Sequence, residues 1–236
     1  MSPRVRAGRR LVVAGAACMG LGAEAAGPFI VEDAAIVEPK ACQIETWTRR
    51  PREGYENFVV PACNPTGNLE IQLGGARIRT DDEVFAAATV QLKTVFREAT
   101  AEQWGVGLVV GGARIRNRSG GESGTDLYAL IPVTVPLVPD KLTLNLNAGL
   151  LRSGPQDTTV GTWGVAADWT PIDRLRITGE AFRLLRPRPY FQVGAFVTLV
   201  AERVEVVALY GNGYGDGSAG RWFTVGLQLY SPPFLP

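Results

Sequence analysis

The sequence predicts an all-β protein, a transmembrane antiparallel up-and-down β-barrel of about 12 strands. Three observations predict this fold class: an N-terminal export signal, short segments in which apolar and polar residues alternate, and an even number of such segments. The 28 glycines and 16 prolines punctuate the chain between these segments. Short alternating strands bounded by Gly and Pro are typical of barrels and sandwiches.

The first residues have the features of a secretory signal peptide. An arginine-rich start precedes an apolar run over residues 11–21, and residues 23–25 offer the small side chains of a cleavage site. We therefore predict that residues 1–25 are removed on export. The alternatives are a basic N-terminal helix of a cytosolic protein, whose apolar run is too short to span a bilayer, and lipidation at Cys18.

Charge and hydropathy limit the partners and the mode of membrane insertion. Removing the four arginines and one glutamate of the predicted signal leaves 20 basic and 22 acidic side chains. This balance gives no reason to expect a nucleic-acid partner. After residue 25 no apolar run reaches the ~18 residues of a spanning helix, so insertion would have to be by strands.

Period-two alternation is cleanest over residues 141–147, where leucines occupy one face and Thr143, Asn145 and Asn147 the other. Residues 223–229 alternate in the same way. Many of the segments have the ~10-residue length of a tilted membrane strand. The predicted strands begin near Ala41, Tyr55, Asn68, Val84, Gln103, Asp126, Lys141, Thr158, Arg174, Tyr190, Val204 and Arg221.

The links between strands are predicted to alternate strictly between two kinds. Tight turns at residues 136–140, 170–173 and 201–203 would face the periplasm. Longer links at residues 117–124 and 211–220 would face outward, as in outer-membrane barrels of Gram-negative bacteria. Residues 41–236 would form the barrel, and the non-alternating residues 26–40 would be either a plug inside it or a periplasmic tail.

Alternation alone does not distinguish a membrane barrel from a soluble sandwich or a lipocalin-like barrel. The polar faces are rich in Thr, Asn, Gln and Gly, whereas a water-facing sheet is rich in Lys and Glu, and this favours a membrane. Aromatic residues near the predicted strand ends would form an interfacial girdle. These residues are Trp104, Trp163, Trp169, Trp222 and Tyr230.

Two cysteines of the mature chain, Cys42 and Cys63, flank a predicted hairpin. If that hairpin is symmetric about its turn at residues 51–54, the two cysteines lie directly opposite each other. The same register pairs Trp47 with Phe58 and Arg49 with Glu56, which are favourable cross-strand pairs. We therefore predict a disulfide bond, since the periplasm is oxidising.

The sequence contains no histidine, which excludes His-dependent hydrolases. Two cysteines without histidine also do not complete a tetrahedral zinc site. Glu45, Glu70, Asp168 and Glu180 show no spacing typical of catalytic carboxylates. We predict that the protein is not an enzyme, with no catalytic residue, metal or cofactor.

Polar residues on the inward faces are predicted to line the lumen. They include Lys93, Asn145, Asn147, Arg176, Glu180, Gln192 and Gln228. Lys93 and Arg176 opposite Glu180 would form a charged constriction that sorts solutes. The alternative is that these charges pair with one another and fill the lumen.

A short repeat places arginines near the predicted outer rim, because residues 74–79 recur as residues 111–116. Arginine pairs well with phosphate, so contact with outer-membrane lipids and lipopolysaccharide is one interpretation. The other is ordinary solvated charge. The predicted lipid-phosphate contacts are Arg77, Arg79, Arg114, Arg116, Arg186 and Arg188.

Residues 28–34, 37–39 and 42–47 resemble the start of outer-membrane transporter-like proteins grouped with the phenol meta-degradation pathway. In those proteins an apolar-acidic segment precedes a strand that carries a Glu. The ending at residues 226–236 is similar to theirs too. The resemblance implies an outer-membrane channel or transporter for small molecules, hydrophobic ones among them, without a known enzymatic activity or a fixed cofactor.

Three functional hypotheses follow. The first is a passive channel for a small-molecule solute, inserted in the outer membrane by the barrel-assembly machinery. The second is a non-conducting structural or lipopolysaccharide-binding barrel. The third is a soluble periplasmic barrel that binds a hydrophobic ligand.

Overall fold

A computed structural model describes residues 28–121 and 123–236. Within these ranges the chain forms one closed barrel of antiparallel strands. The strands are β1 (Cys42–Pro51), β2 (Tyr55–Cys63), β3 (Glu70–Arg79), β4 (Val84–Arg97), β5 (Gly105–Asn117), β6 (Gly124–Val138), β7 (Leu142–Ser153), β8 (Thr158–Ile172), β9 (Leu175–Arg183), β10 (Tyr190–Val200), β11 (Val204–Gly213) and β12 (Trp222–Tyr230).

The predicted fold class is confirmed, and all predicted strand starts lie within about two residues of the observed ones. The described residues include no helix that is long and apolar enough to cross a membrane. The predicted signal peptide, residues 1–25, lies outside the described residues.

Closure of the barrel depends on pairing between the first and last strands. β1 and β12 pair without a break from Gln43–Tyr230 to Pro51–Trp222. The chain end then folds back along the start of β1, where the Ser231 amide donates to the Cys42 carbonyl at 2.8 Å. Neither edge strand is left open, so the backbone groups of both are satisfied within the sheet.

The first hairpin has the register that the sequence predicts. Cys42 pairs with Cys63, Trp47 with Phe58 and Arg49 with Glu56, and the predicted disulfide bond is confirmed. The two rings stack with centroids 4.7 Å apart. Arg49 Nη1 lies 3.3 Å from Glu56 Oε2.

The two faces of the sheet are inverted relative to a water-soluble protein. Large apolar side chains stand exposed on the outer face, among them Leu73 at 56% and Val225 at 61% exposure. Amide side chains are buried inside, among them Gln91 and Gln192. This distribution is typical of a barrel whose outer face contacts lipid.

The two ends of the barrel differ, and we call the end that carries residues 41 and 231 the terminal end and the opposite one the far end. Short links at residues 139–141, 173–174 and 201–203 lie at the terminal end, and longer links at residues 118–123 and 214–221 at the far end, as predicted.

The predicted strict alternation is wrong for residues 64–69 and 98–104, which are long links at the terminal end. It is also wrong for residues 52–54, 80–83 and 154–157, which are short links at the far end. The link at residues 64–69 is built around the segment that precedes β1. Its Asn64 side chain donates to the Val37 carbonyl at 2.7 Å and accepts from the Gly67 amide at 2.7 Å.

The predicted aromatic girdle is correct in part. Trp104, Trp163 and Trp169 are exposed on the outer face. Trp222 and Tyr230 instead point inward, where they bond to Gln192 and Gln228. They lie an even number of residues from Thr224 on β12, so the pleat places them on the inner face.

We expect the Cys42→Ser/Cys63→Ser variant to keep the barrel but to lose about 3 kcal/mol of unfolding free energy, because the bond closes a loop with a sequence separation of 21. Urea unfolding of the detergent-folded protein measures this loss. Reducing the native protein should reproduce it. An unchanged unfolding midpoint in both cases would contradict a stabilising role.

Candidate functional site

Residues 28–37, which we call the inner segment, cross the interior of the barrel. The Ile30 and Val31 amides donate to the Glu180 carboxylate, each at 3.0 Å. The Ala34 amide donates to Thr134 Oγ1 at 2.7 Å. These partners lie on β9 and β6, and the Val37 amide reaches Glu70 on β3 at 2.9 Å.

The inner segment forms no strand because its sequence does not alternate, and its amides therefore need partners outside the sheet ladder. Inward-facing side chains supply them. Asn147 binds Glu32 in both directions, since its Oδ1 accepts from the Glu32 amide at 2.8 Å and its Nδ2 donates to the Glu32 carbonyl at 2.7 Å. Gln192 Nε2 donates to the Pro28 carbonyl at 2.9 Å.

Charged groups add an ion-pair cluster between the inner segment and the wall. Lys93 Nζ on β4 lies 2.7 Å from Glu32 Oε2 and 3.0 Å from Asp33 Oδ1. Lys93 and Glu32 are both buried. A buried ammonium needs such partners, and removing them leaves an uncompensated charge.

A second polar cluster lies on the opposite wall. Asn145 Nδ2 donates to Asp168 Oδ2 at 2.6 Å. Arg176 lies 3.7 Å from Asp168 and 3.4 Å from Glu205, and its guanidinium carbon lies 3.6 Å from the centroid of the Phe196 ring. This cluster links side chains of β7, β8, β9 and β11 across the interior.

The structure places each predicted lumen residue on the inner face. Lys93, Asn147, Glu180 and Gln192 contact the inner segment. Asn145 and Arg176 belong to the second cluster, and Gln228 donates to Glu45 Oε1 at 2.7 Å.

The predicted constriction of Lys93 and Arg176 opposite Glu180 is not formed. Glu180 accepts from the Ile30 and Val31 amides and from Gln192 at 2.6 Å. The two cations pair with other carboxylates instead. The amides of the inner segment therefore occupy the position that the sequence assigned to a cation.

Sequence reasoning missed the partners that the inner segment contributes. Glu32 and Asp33 lie in a stretch without periodicity, and no pattern connects them to Lys93 about 60 residues later. The available signal was the presence of two acidic residues, Glu32 and Asp33, in an otherwise apolar segment, because buried acids need a cationic partner. Among the described residues, no group of three or more His, Cys, Asp or Glu side chains is placed to hold a metal ion.

Two cavities lie on either side of the inner segment. A cavity of about 850 Å³ opens at the terminal end, and Phe29 and Val31 line it. A smaller one of about 330 Å³ lies toward the far end, and Ile30 lines it. Because Ile30 lines the smaller cavity and its neighbours Phe29 and Val31 line the larger one, the inner segment lies between the two cavities.

The cavity at the terminal end is acidic. Nine acidic and three basic side chains line it, and within the described ranges several of these acids form no ion pair. The acids are Glu32, Asp33, Glu38, Glu45, Glu70, Asp168, Asp173, Glu202 and Glu205, and the bases are Lys93, Arg176 and Arg203.

The far-end cavity is mainly apolar and aromatic. Phe182, Leu184, Tyr190 and Trp222 line it together with Ile30. Five charged side chains also line it, namely Arg49, Glu56, Arg186, Asp216 and Arg221. Phe182 and Tyr190 stack with centroids 5.4 Å apart. Its volume suits one small molecule.

The predicted lipid-phosphate arginines fall into two groups. Arg77, Arg79, Arg114 and Arg116 are exposed on the outer face near the far end, and Arg188 is exposed in the link over residues 184–189.

Arg186 differs from them, because it forms an ion pair with Asp216 and lies 4.5 Å from the centroid of the Tyr190 ring. The hydrogen bond from Arg186 lowers the pKa of the Asp216 carboxyl below its usual value. This pair joins two far-end links and lines the small cavity, so Arg186 is not on the outer face where the predicted lipid contact requires it.

Residues 13–230 match a family described as "Uncharacterised conserved protein UCP029691". No curated protein matches the sequence. Among solved structures, the chain is similar to the KdgM porin at 11% identity and a TM-score of 0.61, covering 79% of this chain and 98% of that one. The NanC porin is similar at 7% identity and a TM-score of 0.56, with coverage of 80% and 98%.

Outer membrane phospholipase A from Escherichia coli is also similar, at 10% identity and a TM-score of 0.52, covering 82% of this chain and 93% of that one. At such identities the likeness shows the fold, which is that of porin-like outer-membrane barrels. Because porins and an enzyme share this fold, it does not assign an activity. The grouping with phenol meta-degradation stays a prediction.

We expect Gly164→Val to displace the inner segment. A Cβ at Gly164 would lie 2.6 Å from Val31 Cγ2, and overpacking of this kind costs about 1–3 kcal/mol. Cleavage after Glu32 by a Glu-specific protease should therefore become about tenfold faster.

Gly179→Val is the matched control, since no atom lies within 4 Å of a Cβ there. Adding Val31→Ala to the Gly164→Val variant should restore part of the protection. Equal cleavage rates for Gly164→Val, Gly179→Val and Gly164→Val/Val31→Ala would contradict the contact between position 164 and Val31.

Proposed function

We propose that this chain, which belongs to the family of uncharacterised conserved proteins UCP029691, is an outer-membrane channel that passes small molecules through its interior. The observation that carries the proposal is a polar interior with a cavity of about 850 Å³ inside a barrel whose outer face is apolar. The fold shared with porins supports it.

An outer-membrane location fits the distribution of side chains. The exposed apolar outer face would be unfavourable in water and favourable against acyl chains. A soluble periplasmic barrel requires the opposite arrangement. The predicted signal peptide supplies the export that this location needs.

The inner segment would act as the closing element of the channel. It lies between the two cavities, and hydrogen bonds and one ion-pair cluster hold it, without strand pairing to the wall. Water could replace such contacts while the strand ladders stay intact. The interior of a barrel widens with strand number: ~8 strands enclose a space filled by side chains, and ~16 strands enclose an open channel. A barrel of twelve strands has an intermediate width, which leaves room for a movable segment.

Charge in the cavity at the terminal end would favour cations over anions. Its excess of carboxylates creates a negative potential, which concentrates cations in a low-dielectric lumen. The apolar far-end cavity would accept the hydrophobic part of a solute. We therefore propose small neutral or cationic molecules with an apolar part, in line with the hydrophobic solutes that the sequence resemblance implies.

Weakening the ion-pair cluster should open the channel. In the Glu32→Gln/Asp33→Asn variant both ion pairs with Lys93 are lost, so we expect an open probability about tenfold higher, since a charge-assisted hydrogen bond contributes about 1.5–3 kcal/mol. Single-channel recording in a planar bilayer measures it.

The control is Asp81→Asn/Asp82→Asn, which removes the same charge from an exposed link. It should behave like the native protein. A non-conducting structural barrel predicts silence from every variant, and that result would contradict the proposal.

The preference of the channel for cations should depend on the acidic residues that line the cavity at the terminal end. In the Glu32→Gln/Asp33→Asn background, adding Glu38→Gln and Asp173→Asn removes two negative charges from the cavity lining. We expect the reversal potential in a KCl gradient to move toward zero, because the cation preference falls. Adding Asp157→Asn at the far end should leave it unchanged. A preference for anions in the background variant would refute the proposed selectivity.

A further inference from the structure

Arginines form a patch on the outer face of β3 and β5 at the far end. Arg77 and Arg79 lie on β3, and Arg114 and Arg116 lie on β5. All four are exposed and point away from the lumen, since their neighbours Ile78 and Ile115 are buried inside. The patch is therefore separate from the interior that the channel would use.

Strand register brings the two pairs of arginines together. Arg77 on β3 and Arg116 on β5 both pair with Ala86 on β4, the strand between them. Two strand spacings amount to about 10 Å. Because Ala86 has only a methyl group, both long side chains can reach over it toward one anionic group.

The arginines are not neutralised by acidic side chains. Within residues 28–121 and 123–236, none of the four guanidinium groups forms an ion pair with a carboxylate, and Arg114 donates to Thr125 Oγ1 at 3.0 Å. The acidic residues on the two neighbouring strands, Glu56 on β2 and Asp126 on β6, point into the barrel. Asp81 and Asp82 are exposed in the link between β3 and β4, and they form no ion pair with the four arginines. In the part of the chain that the structure describes, the four outward-facing cations therefore have no paired carboxylate.

An apolar surface continues from the patch toward the terminal end on the same strands. On β4, Ala88 pairs with Arg114, and Val90, two residues further toward the terminal end, pairs with Leu73. Leu73 and Val90 are each about half exposed. Ile71, Leu92 and Val110 continue this apolar surface. A ligand that fits both parts must carry anionic groups at one end and acyl chains at the other.

The patch is the densest group of outward-facing strand arginines at the far end. β1, β7 and β9 each carry a single outward arginine there, namely Arg50, Arg152 and Arg183. Arg152 is paired with Asp157, and Arg183 donates to the Gly161 carbonyl. The concentration of four arginines on β3 and β5 therefore favours the binding of an anion at this place.

We propose that Arg77, Arg79, Arg114 and Arg116 bind the phosphate groups of an outer-leaflet lipid of the lipid A type, with its acyl chains on the apolar surface of β3 to β5. Guanidinium groups bind phosphate through paired, charge-assisted hydrogen bonds. Such a site would fix the height and rotation of the barrel in the outer leaflet. It does not depend on whether the lumen conducts.

The test is a titration of the detergent-folded mature protein with lipid A carrying two phosphates, followed by native mass spectrometry. Dephosphorylated lipid A with the same acyl chains and inorganic phosphate are the comparison probes. We expect tight binding of the phosphorylated lipid, binding at least about tenfold weaker without its phosphates, and no displacement by inorganic phosphate at equal concentration.

The Arg77→Gln/Arg116→Gln variant should bind the phosphorylated lipid at least about tenfold more weakly, and Arg77→Lys/Arg116→Lys should be intermediate. Arg174→Gln/Lys141→Gln removes two exposed cations at the terminal end and should bind like the native protein. Heat-modifiable gel migration checks that each variant has formed the barrel.

Three results would overturn the assignment. Equal binding of the dephosphorylated lipid would leave only the apolar surface as the contact. Displacement by equal inorganic phosphate would make the patch a simple anion site. Equal weakening in both charge-removal variants would reduce the effect to net charge.

Discussion

Pairing of β1 with β12 is the interaction on which the rest of the structure depends. A sheet surrounded by hydrocarbon must satisfy every backbone amide and carbonyl internally, and only closure removes its two edges. Once the sheet is closed, the pleat gives each strand one outward face and one face toward the lumen. The far-end arginines and the apolar surface below them lie on the first face, and the polar network lies on the second.

Closure also explains why the inner segment is held as it is. A closed sheet has no edge to which residues 28–37 could add as a strand, so their amides bond to side chains such as Glu180 and Thr134. Inward-facing side chains of a barrel have no second sheet to pack against. The inner segment provides hydrogen-bond partners for some of them. The same contacts that complete the interior also hold this segment between the two cavities.

The sequence was most informative where period-two alternation operates. Alternation identified the strands and the inward position of residues such as Asn145 and Gln228, and cross-strand chemistry set the register of Cys42 and Cys63. It was uninformative for the inner segment, whose partner Glu180 is 150 residues from Ile30, because no periodicity encodes so distant a contact. The prediction that Arg186 faces lipid failed for a related reason. Its partner Asp216 lies in another link, and the conformation of links is not encoded by a repeating sequence pattern.

The most direct test of the account is to tether the inner segment to the wall. Ala34→Cys and Thr134→Cys would introduce thiols at two contacting residues, since the Ala34 amide nitrogen lies 2.7 Å from Thr134 Oγ1. Single-channel conductance of this variant is recorded before and after reduction, with the reduced native protein as the control for the Cys42–Cys63 bond. We expect silence in the oxidised state and conductance steps after reduction. Equal conductance in the two states would contradict a closing role of the inner segment, because passage would then not require this segment to move.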